Sequence, residues 1–250
     1  MTVSDTPILY WVDLAGVAGF ALSGALRAVD RRPDFVGMLI LACCTAMGGG
    51  AVRDVLLGRE VAFLRNGAYP LVVLLAVVAV CVFPATLIRR TRVFEYFDAI
   101  GLGVFTALTA SLTWRTPGVS AGSVLMVATA AGCAGGVLRD LMIDKPTLVL
   151  SNELYVTPAI IGAAALMILE RTGASADAAF IGAIVVTTSL RMLSIRFGWR
   201  LPRVPGAQVG ETNPMAAAEV ASSTQSIHRR DAEDAENNEV SSRMTTNLHE

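Results

Sequence analysis

Gly49-Gly50-Ala51-Val52-Arg53-Asp54 and Gly135-Gly136-Val137-Leu138-Arg139-Asp140 stand 86 residues apart, each inside a long apolar run. The same offset pairs Asn66 with Asn152 and Tyr69 with Tyr155. An offset of 85 pairs Asp13-Leu14-Ala15-Gly16 with Asp98-Ala99-Ile100-Gly101, and Phe20 with Phe105. Apolar composition can align two hydrophobic helices by chance. It does not easily align an Arg-Asp pair behind two glycines, followed at one distance by Asn-x-x-Tyr. The chain therefore contains an internal duplication.

The surrounding composition sets the solvent. Of the 250 residues, 54% are hydrophobic and only 16% charged, against roughly 25% charged in soluble domains. A membrane-spanning helix needs roughly 20 apolar residues. That ruler gives seven candidate spans, at 8–26, 36–57, 69–88, 96–114, 119–142, 154–170 and 175–193. The expected fold class is an all-α polytopic membrane protein of seven transmembrane helices. Repeat one covers 8–88, repeat two 96–170, and the seventh helix stands outside the duplication as a brace or oligomer contact. The first run lacks a basic leader and contains Asp13, unlike a cleavable signal peptide.

Three spans per repeat is an odd number, so the two repeats enter the membrane from opposite faces. They form an inverted pair about a pseudo-two-fold axis in the membrane plane. Lys/Arg bias sets the orientation. Ten basic residues (Arg27, Arg31, Arg32, Arg89, Arg90, Arg92, Lys145, Arg196, Arg200, Arg203) lie on one side, against Arg59, Arg65, Arg115 and Arg171 on the other. This predicts an outside N-terminus, a cytoplasmic C-terminus and a place in the cell (plasma) membrane, with lipids as neighbours.

The net charge of −1 hides a split. Residues 1–203 hold 17 basic and 13 acidic side chains, and residues 204–250 hold 3 and 8. The transmembrane body, 1–200, is basic. The acidic segment 204–250 has too few apolar points to offset its ordering entropy and reads as a disordered cytoplasmic tail. No basic stripe with interleaved aromatics suggests nucleic acid. His228 and His249 both lie in that tail, so no His-rich metal centre is expected in the body, nor any cofactor. Cys43, Cys44, Cys81 and Cys133 sit in apolar runs as small packing residues. An enzyme is not expected.

The repeated motif carries the chemistry. Glycine runs at matching places in inverted repeats mark permeation sites in transport proteins. Gly48, Gly49, Gly50, Gly135 and Gly136 are thus candidate hinges, whose broken helices would offer carbonyls to a water-filled path. They are equally readable as tight packing surfaces. Intramembrane charges cost several kcal/mol unless paired or hydrated. Neighbouring side chains lie about 100° apart on a helix, so Arg53 and Arg139 are each expected to meet the Asp54 or Asp140 of the other repeat, or a carbonyl near the axis. The pairs act either as pore charges or as register-fixing locks. No Lys-Ser/Thr follows the glycines, which excludes a P-loop. Asp13 and Asp98, one toward each end of a pathway, either attract cations at its mouths or complement a helix dipole. Ser23, Thr45, Thr106, Thr109 and Thr129 either line water or bond back to their own helices.

With these residues in view, the chain resembles the prokaryotic trimeric intracellular cation (TRIC) channels. The resemblance covers about residues 8–195 and is carried by Gly48-Gly49-Gly50-Ala51-Val52-Arg53-Asp54, its second copy, and the stretch from Lys145-Pro146-Thr147 to Asn152-Glu153-Leu154-Tyr155. It implies a potassium-selective channel: a homotrimer with one hourglass pore per protomer, potassium as the permeant ion, and helices two and five kinked at the glycines. Arg53, Asp54, Arg139 and Asp140 fall on the motif's charged positions. Two departures stand out. Cys133-Ala134 occupies the place where the first repeat begins its glycine triplet, which suggests a stiffer hinge. Glu60 stands where the second repeat has Pro146. The residues by themselves leave a second class open, a secondary transporter of a small solute such as glycine or alanine.

Overall fold

A computed structural model describes residues 7–82, 93–145, 147–149 and 154–199. All regular structure there is helical. The long helices are α1 (Pro7–Ala28), α2 (Phe35–Leu56), α3 (Ala68–Val82), α4 (Val93–Trp114), α5 (Ala121–Met142), α6 (Val156–Arg171) and α7 (Ala176–Phe197). Five of them, α1, α2, α4, α5 and α7, are long and apolar enough to cross a membrane. The α6 helix has 16 residues, about 24 Å at ~1.5 Å per residue, short of a ~30 Å hydrocarbon core; α3 is described as far as Val82, where the described residues stop. Residues 83–88 of the expected third span, Arg89, Arg90, Arg92, Pro146, Asn152 and the tail 204–250 lie outside the described residues.

Local chemistry starts and stops these helices at matching places. Asp34 caps α2 by accepting the Gly37 N–H at 2.7 Å, and Ser120, its counterpart 86 residues on, caps α5 through Ser123 N–H at 3.2 Å. After α2 the chain turns through Gly58 at φ 62°, and after α5 through Asp144 at φ 51°. Both lie in the left-handed region, which glycine enters freely and Asp tolerates better than most residues. The duplication thus extends to backbone geometry that the sequence match alone does not reveal.

Packing follows the same symmetry. The α1 helix lies against α4, and α2 against α5; within each repeat, α1 and α2 pack on α3 as α4 and α5 pack on α6. At the centre the Phe20 and Phe105 rings stack, 5.4 Å between centroids and 30° between planes. Around them, a Cβ on Gly101 would stand 2.6 Å from Phe20 Cδ1, and one on Gly16 would stand 2.6 Å from Val104 Cγ1. The α7 helix braces α4 and α6: Thr188 and the Ile184 carbonyl face Gly103, and Thr187 and the Ala183 carbonyl face Gly162. Outward, Ile8, Trp11, Leu75, Val82, Met126, Ile168 and Val185 are exposed. An apolar surface of that extent suits lipid rather than water.

The glycine runs do not break their helices. Helical structure continues through Gly48–Gly50 in α2 and through Gly132–Gly136 in α5, so the expected freed carbonyls are absent from both. What the glycines supply is proximity. A Cβ on Gly49 would stand 2.6 Å from the Ala131 carbonyl oxygen, and one on Gly135 would collide with the Thr45 carbonyl oxygen. These contacts are reciprocal, because Gly49 pairs with Gly135 and Thr45 with Ala131 at the offset of 86. The two helices therefore meet backbone to backbone on the pseudo-two-fold axis.

Gly48 differs. A Cβ there would meet only the end of the Leu138 side chain, which is 37% exposed and able to turn aside. The mirrored positions are Ala134 and Val52. Gly with Leu on one side and Ala with Val on the other hold the same number of side-chain carbons. The Cys133-Ala134 departure is thus a volume exchange, where the sequence suggested a stiffer hinge. Gly49→Ala and Gly135→Ala should each lower stability by about 1–3 kcal/mol through overpacking, whereas Gly48→Ala should cost far less. Thermal unfolding of the three variants in detergent checks the order.

Candidate functional site

Arg53, in the last turn of α2, is 1% exposed and its donors go to two carboxylates. Its Nε donates to Asp54 Oδ1 at 2.8 Å and its Nη2 to Asp54 Oδ2 at 3.3 Å; Nη1 donates to Asp13 Oδ1 of α1 at 3.1 Å. The remaining lone pairs are also used. Asp54 Oδ2 accepts the Ala62 N–H at 3.0 Å, at the start of the short helical turn Ala62–Arg65. Asp13 Oδ2 accepts the Tyr69 hydroxyl at 2.7 Å. Tyr10 leans edge-on against Tyr69, and Asn66 Nδ2 donates to the Tyr10 hydroxyl at 3.2 Å.

The second repeat builds the same network from the mirrored residues. Arg139 Nε donates to Asp140 Oδ1 at 2.9 Å, and Nη1 donates to Asp98 Oδ1 of α4 at 2.5 Å. Asp140 Oδ2 accepts the Leu148 N–H at 3.1 Å, and Leu148 is the counterpart of Ala62. Two differences matter. Arg139 Nη1 also donates to Ser23 Oγ of the first repeat at 2.7 Å. Tyr155, the counterpart of Tyr69, does not bond Asp98: Tyr155 Oη, Asp98 Oδ2 and Arg139 Nη2 are buried without a hydrogen-bond partner among the described residues. The Tyr155 ring lies instead under Arg191 of α7, 4.9 Å from guanidinium carbon to ring centroid, while Arg191 Nη1 donates to the Leu154 carbonyl at 3.0 Å.

This geometry corrects the expected pairing. Each Arg is held by its own neighbouring Asp and by the first-helix Asp of its own repeat, not by the Asp across the axis. A guanidinium presents donors on two edges, so Nε reaches back to the next residue while Nη1 reaches forward to another helix. The two readings of Asp13 and Asp98 are replaced as well. At 1% and 0% exposure they stand at no mouth, and both lie beyond the first turn of their helices. Thr45 returns its hydroxyl to the Leu41 carbonyl at 2.7 Å, and the Thr129 hydroxyl is buried without a partner among the described residues. Gly50 faces Phe105, and Gly136 faces Tyr155 and Asp98. Sequence reasoning missed Tyr69 and Tyr155 as members of the networks, although the aligned Asn-x-x-Tyr was their signal. It also passed over Arg191, a single cation deep in an apolar helix. Among the described residues no cluster of His, Cys, Asp and Glu could hold a metal ion.

A family model described as Glycine transporter matches the chain twice, over residues 10–85 and 95–171. One copy falls on each repeat. The UPF0126 membrane protein of Deinococcus radiodurans is 37% identical over 78% of this chain and 91% of its own length. YvgT of Bacillus subtilis, a UPF0126 membrane protein, is 34% identical over 76% of this chain and 94% of its own. A structure solved to explain conductance through TRIC cation channels is 34% identical, with a TM-score of 0.70 over 78% of this chain and 96% of that one. The trimeric intracellular cation channel orthologue from Rhodobacter sphaeroides is 29% identical, with a TM-score of 0.69 over 78% of this chain and all of that one (100%). The chain belongs to the prokaryotic TRIC family.

Within the TRIC fold, each motif Arg-Asp pair is joined by the first-helix Asp of its own repeat, giving one more carboxyl than guanidinium. Coupling should therefore run within repeats. Arg139→Ala and Asp98→Ala should interact by about 0.5–3 kcal/mol in a double-mutant cycle, and Arg139→Ala with Asp54→Ala should add within about 0.5 kcal/mol. Tyr69→Phe, which removes a hydrogen bond to a charged group, should cost about 1.5–3 kcal/mol. Tyr155→Phe should cost less. Denaturation of the detergent-solubilised protein measures all of these.

Proposed function

We propose that this protein is a cation channel that conducts potassium. The observation that carries the reading is the pair of mirrored networks, Asp13-Arg53-Asp54 and Asp98-Arg139-Asp140, flanking the glycine crossing of α2 and α5. An excess of carboxyl over guanidinium in each favours cations over anions near the axis. The likeness to structures described as TRIC cation channels supports the same reading. Each protomer has one pore, bounded by α1, α2, α4 and α5, and gating uses the glycines. At Gly49 and Gly135 the two helices touch by backbone, so few interdigitating side chains oppose their sliding or bending there. Asp13, Asp54, Asp98 and Asp140 tune the field that the ion crosses.

The assembly is a homotrimer, on the likeness to the trimeric channel of Rhodobacter sphaeroides. Its seven spans sit in the cell membrane with the N-terminus outside and residues 204–250 in the cytoplasm, on the Lys/Arg bias of the loops. Purified protein reconstituted into liposomes should pass potassium down its gradient, exclude chloride, and show unitary current steps in planar bilayers. Trimeric protein that gives no potassium flux, but accumulates glycine or alanine saturably without current steps, overturns the channel reading in favour of a transporter.

A further inference from the structure

Tyr69 and Tyr155 are mirror residues that have taken different partners. Tyr69 donates its hydroxyl to Asp13 Oδ2 at 2.7 Å. Tyr155, 1% exposed, gives Asp98 no such bond, and its ring lies under the Arg191 guanidinium at 4.9 Å. The hydroxyl and the acid are nonetheless close. A Cβ on Gly136 would collide with Tyr155 Oη while standing 3.2 Å from Asp98 Oδ1. At Gly50, the counterpart, a Cβ would instead have Phe105 as its nearest neighbour, at 3.3 Å. Only the bare backbone of Gly136 leaves the Tyr155 hydroxyl its present place.

The difference leaves three polar atoms of the second network without partners among the described residues: Asp98 Oδ2, Arg139 Nη2 and Tyr155 Oη. Each mirrored atom is bonded. Tyr69 Oη donates to Asp13 Oδ2, and Arg53 Nη2 donates to Asp54 Oδ2 at 3.3 Å. A buried polar atom left unpaired is costly, so an opposing interaction must hold Tyr155 where it is. Arg191 supplies it from α7, the helix with no mirror image. Arg191 is 0% exposed and covers the ring, while its Nη1 donates to the Leu154 carbonyl at 3.0 Å. Ser194 Oγ donates to the same carbonyl at 3.5 Å. One cation thus grips both the ring of Tyr155 and the peptide group before it. A desolvated cation–π contact and a hydroxyl bond to a carboxylate are of comparable strength. Neither partner overwhelms the other.

We propose that Arg191 is a positioning residue and that Tyr155 is a side chain with two stations. In the station seen here the ring stays under Arg191, and Asp98 keeps an unshared oxygen. In the other, which Tyr69 shows in the first repeat, the hydroxyl donates to Asp98 Oδ2 and stabilises its charge. A displacement of α7 that lifts Arg191 from the ring moves Tyr155 to the second station. The seventh helix thereby sets how much unshared negative charge the second network carries. The first network, with Tyr69 already bonded, has no such control. No step of this depends on ion flux, so the inference goes beyond the channel reading and stands or falls separately from it.

The tyrosine carbon–oxygen stretch, read by infrared spectroscopy on protein carrying isotope-labelled tyrosine, distinguishes a hydroxyl that donates to a carboxylate from one that does not. Tyr69→Phe and Tyr155→Phe assign the two bands by subtraction. In otherwise native protein the Tyr69 band should be that of a carboxylate-bonded hydroxyl, and the Tyr155 band should not. In Arg191→Met the Tyr155 band should move to the Tyr69 position, whereas Arg191→Lys, which keeps a cation, should leave it in place. A Tyr155 band already at the Tyr69 position in the native protein overturns the proposal, even if Arg191→Met does not fold. So does a band that stays put in folded Arg191→Met. Stability gives an independent readout. Tyr155→Phe should shift the unfolding equilibrium less than about threefold beside Arg191, and about tenfold or more in Arg191→Met, where a bond to a charged group is lost. Equal shifts in the two backgrounds sink the two-station tyrosine.

Discussion

Two helices that touch by their backbones fix almost everything else in this protein. Gly49 and Gly135 allow α2 and α5 to cross with a carbonyl of each against the Cα of the other. The Arg-Asp pair follows one turn later on each helix, so the crossing also places both guanidinium groups close to the axis, where α1 and α4 supply the second carboxylate. The Phe20 and Phe105 rings fill the space that the glycines leave. Had the helices been separated by ordinary side chains, at 8–10 Å between axes, neither the ring stack nor the reach from Arg53 to Asp13 would follow.

Much of this was legible in the sequence because it was written twice. The 85- and 86-residue offsets found the mirrored helices, both charged motifs and the tyrosines. They could not find the partners. The expectation that each Arg would cross the axis treated side chains as rods at fixed angles around a helix. A guanidinium is a planar fork on a long stem, and it satisfied the adjacent Asp and another helix together. Asp13 and Asp98 were read from their place near the start of a span, which says nothing about what covers them. Burial depends on the packing of α3 and α6, through Tyr69 and Tyr155, and those contacts are long-range.

The copies have also diverged, and the divergence is directional. Arg53 finds its hydrogen-bond partners inside its own repeat. Arg139 borrows Ser23 from the other, and Tyr155 has exchanged a carboxylate for the face of Arg191. The seventh helix, which has no mirror image, thereby reaches the second network through Arg191. Phe94 adds to the imbalance, with Arg27 at 4.4 Å and Arg139 at 5.3 Å from its ring centroid. An aromatic ring between two cations is favourable to both, and Leu9, the matching residue of the first repeat, carries no such ring.

The self-sufficiency of the first network bears on how the protein is made. Synthesis proceeds from the N-terminus, so α1, α2 and α3 emerge from the ribosome before the second repeat is complete. Arg53, Asp54, Asp13, Tyr69 and the Ala62 amide all belong to that first segment. A nascent half can thus enter the bilayer with its guanidinium and both carboxylates already hydrogen-bonded to one another. The second half, whose arginine needs Ser23, inserts against a completed template. Biogenesis then has a built-in order, in which the earlier copy is the one that stands alone.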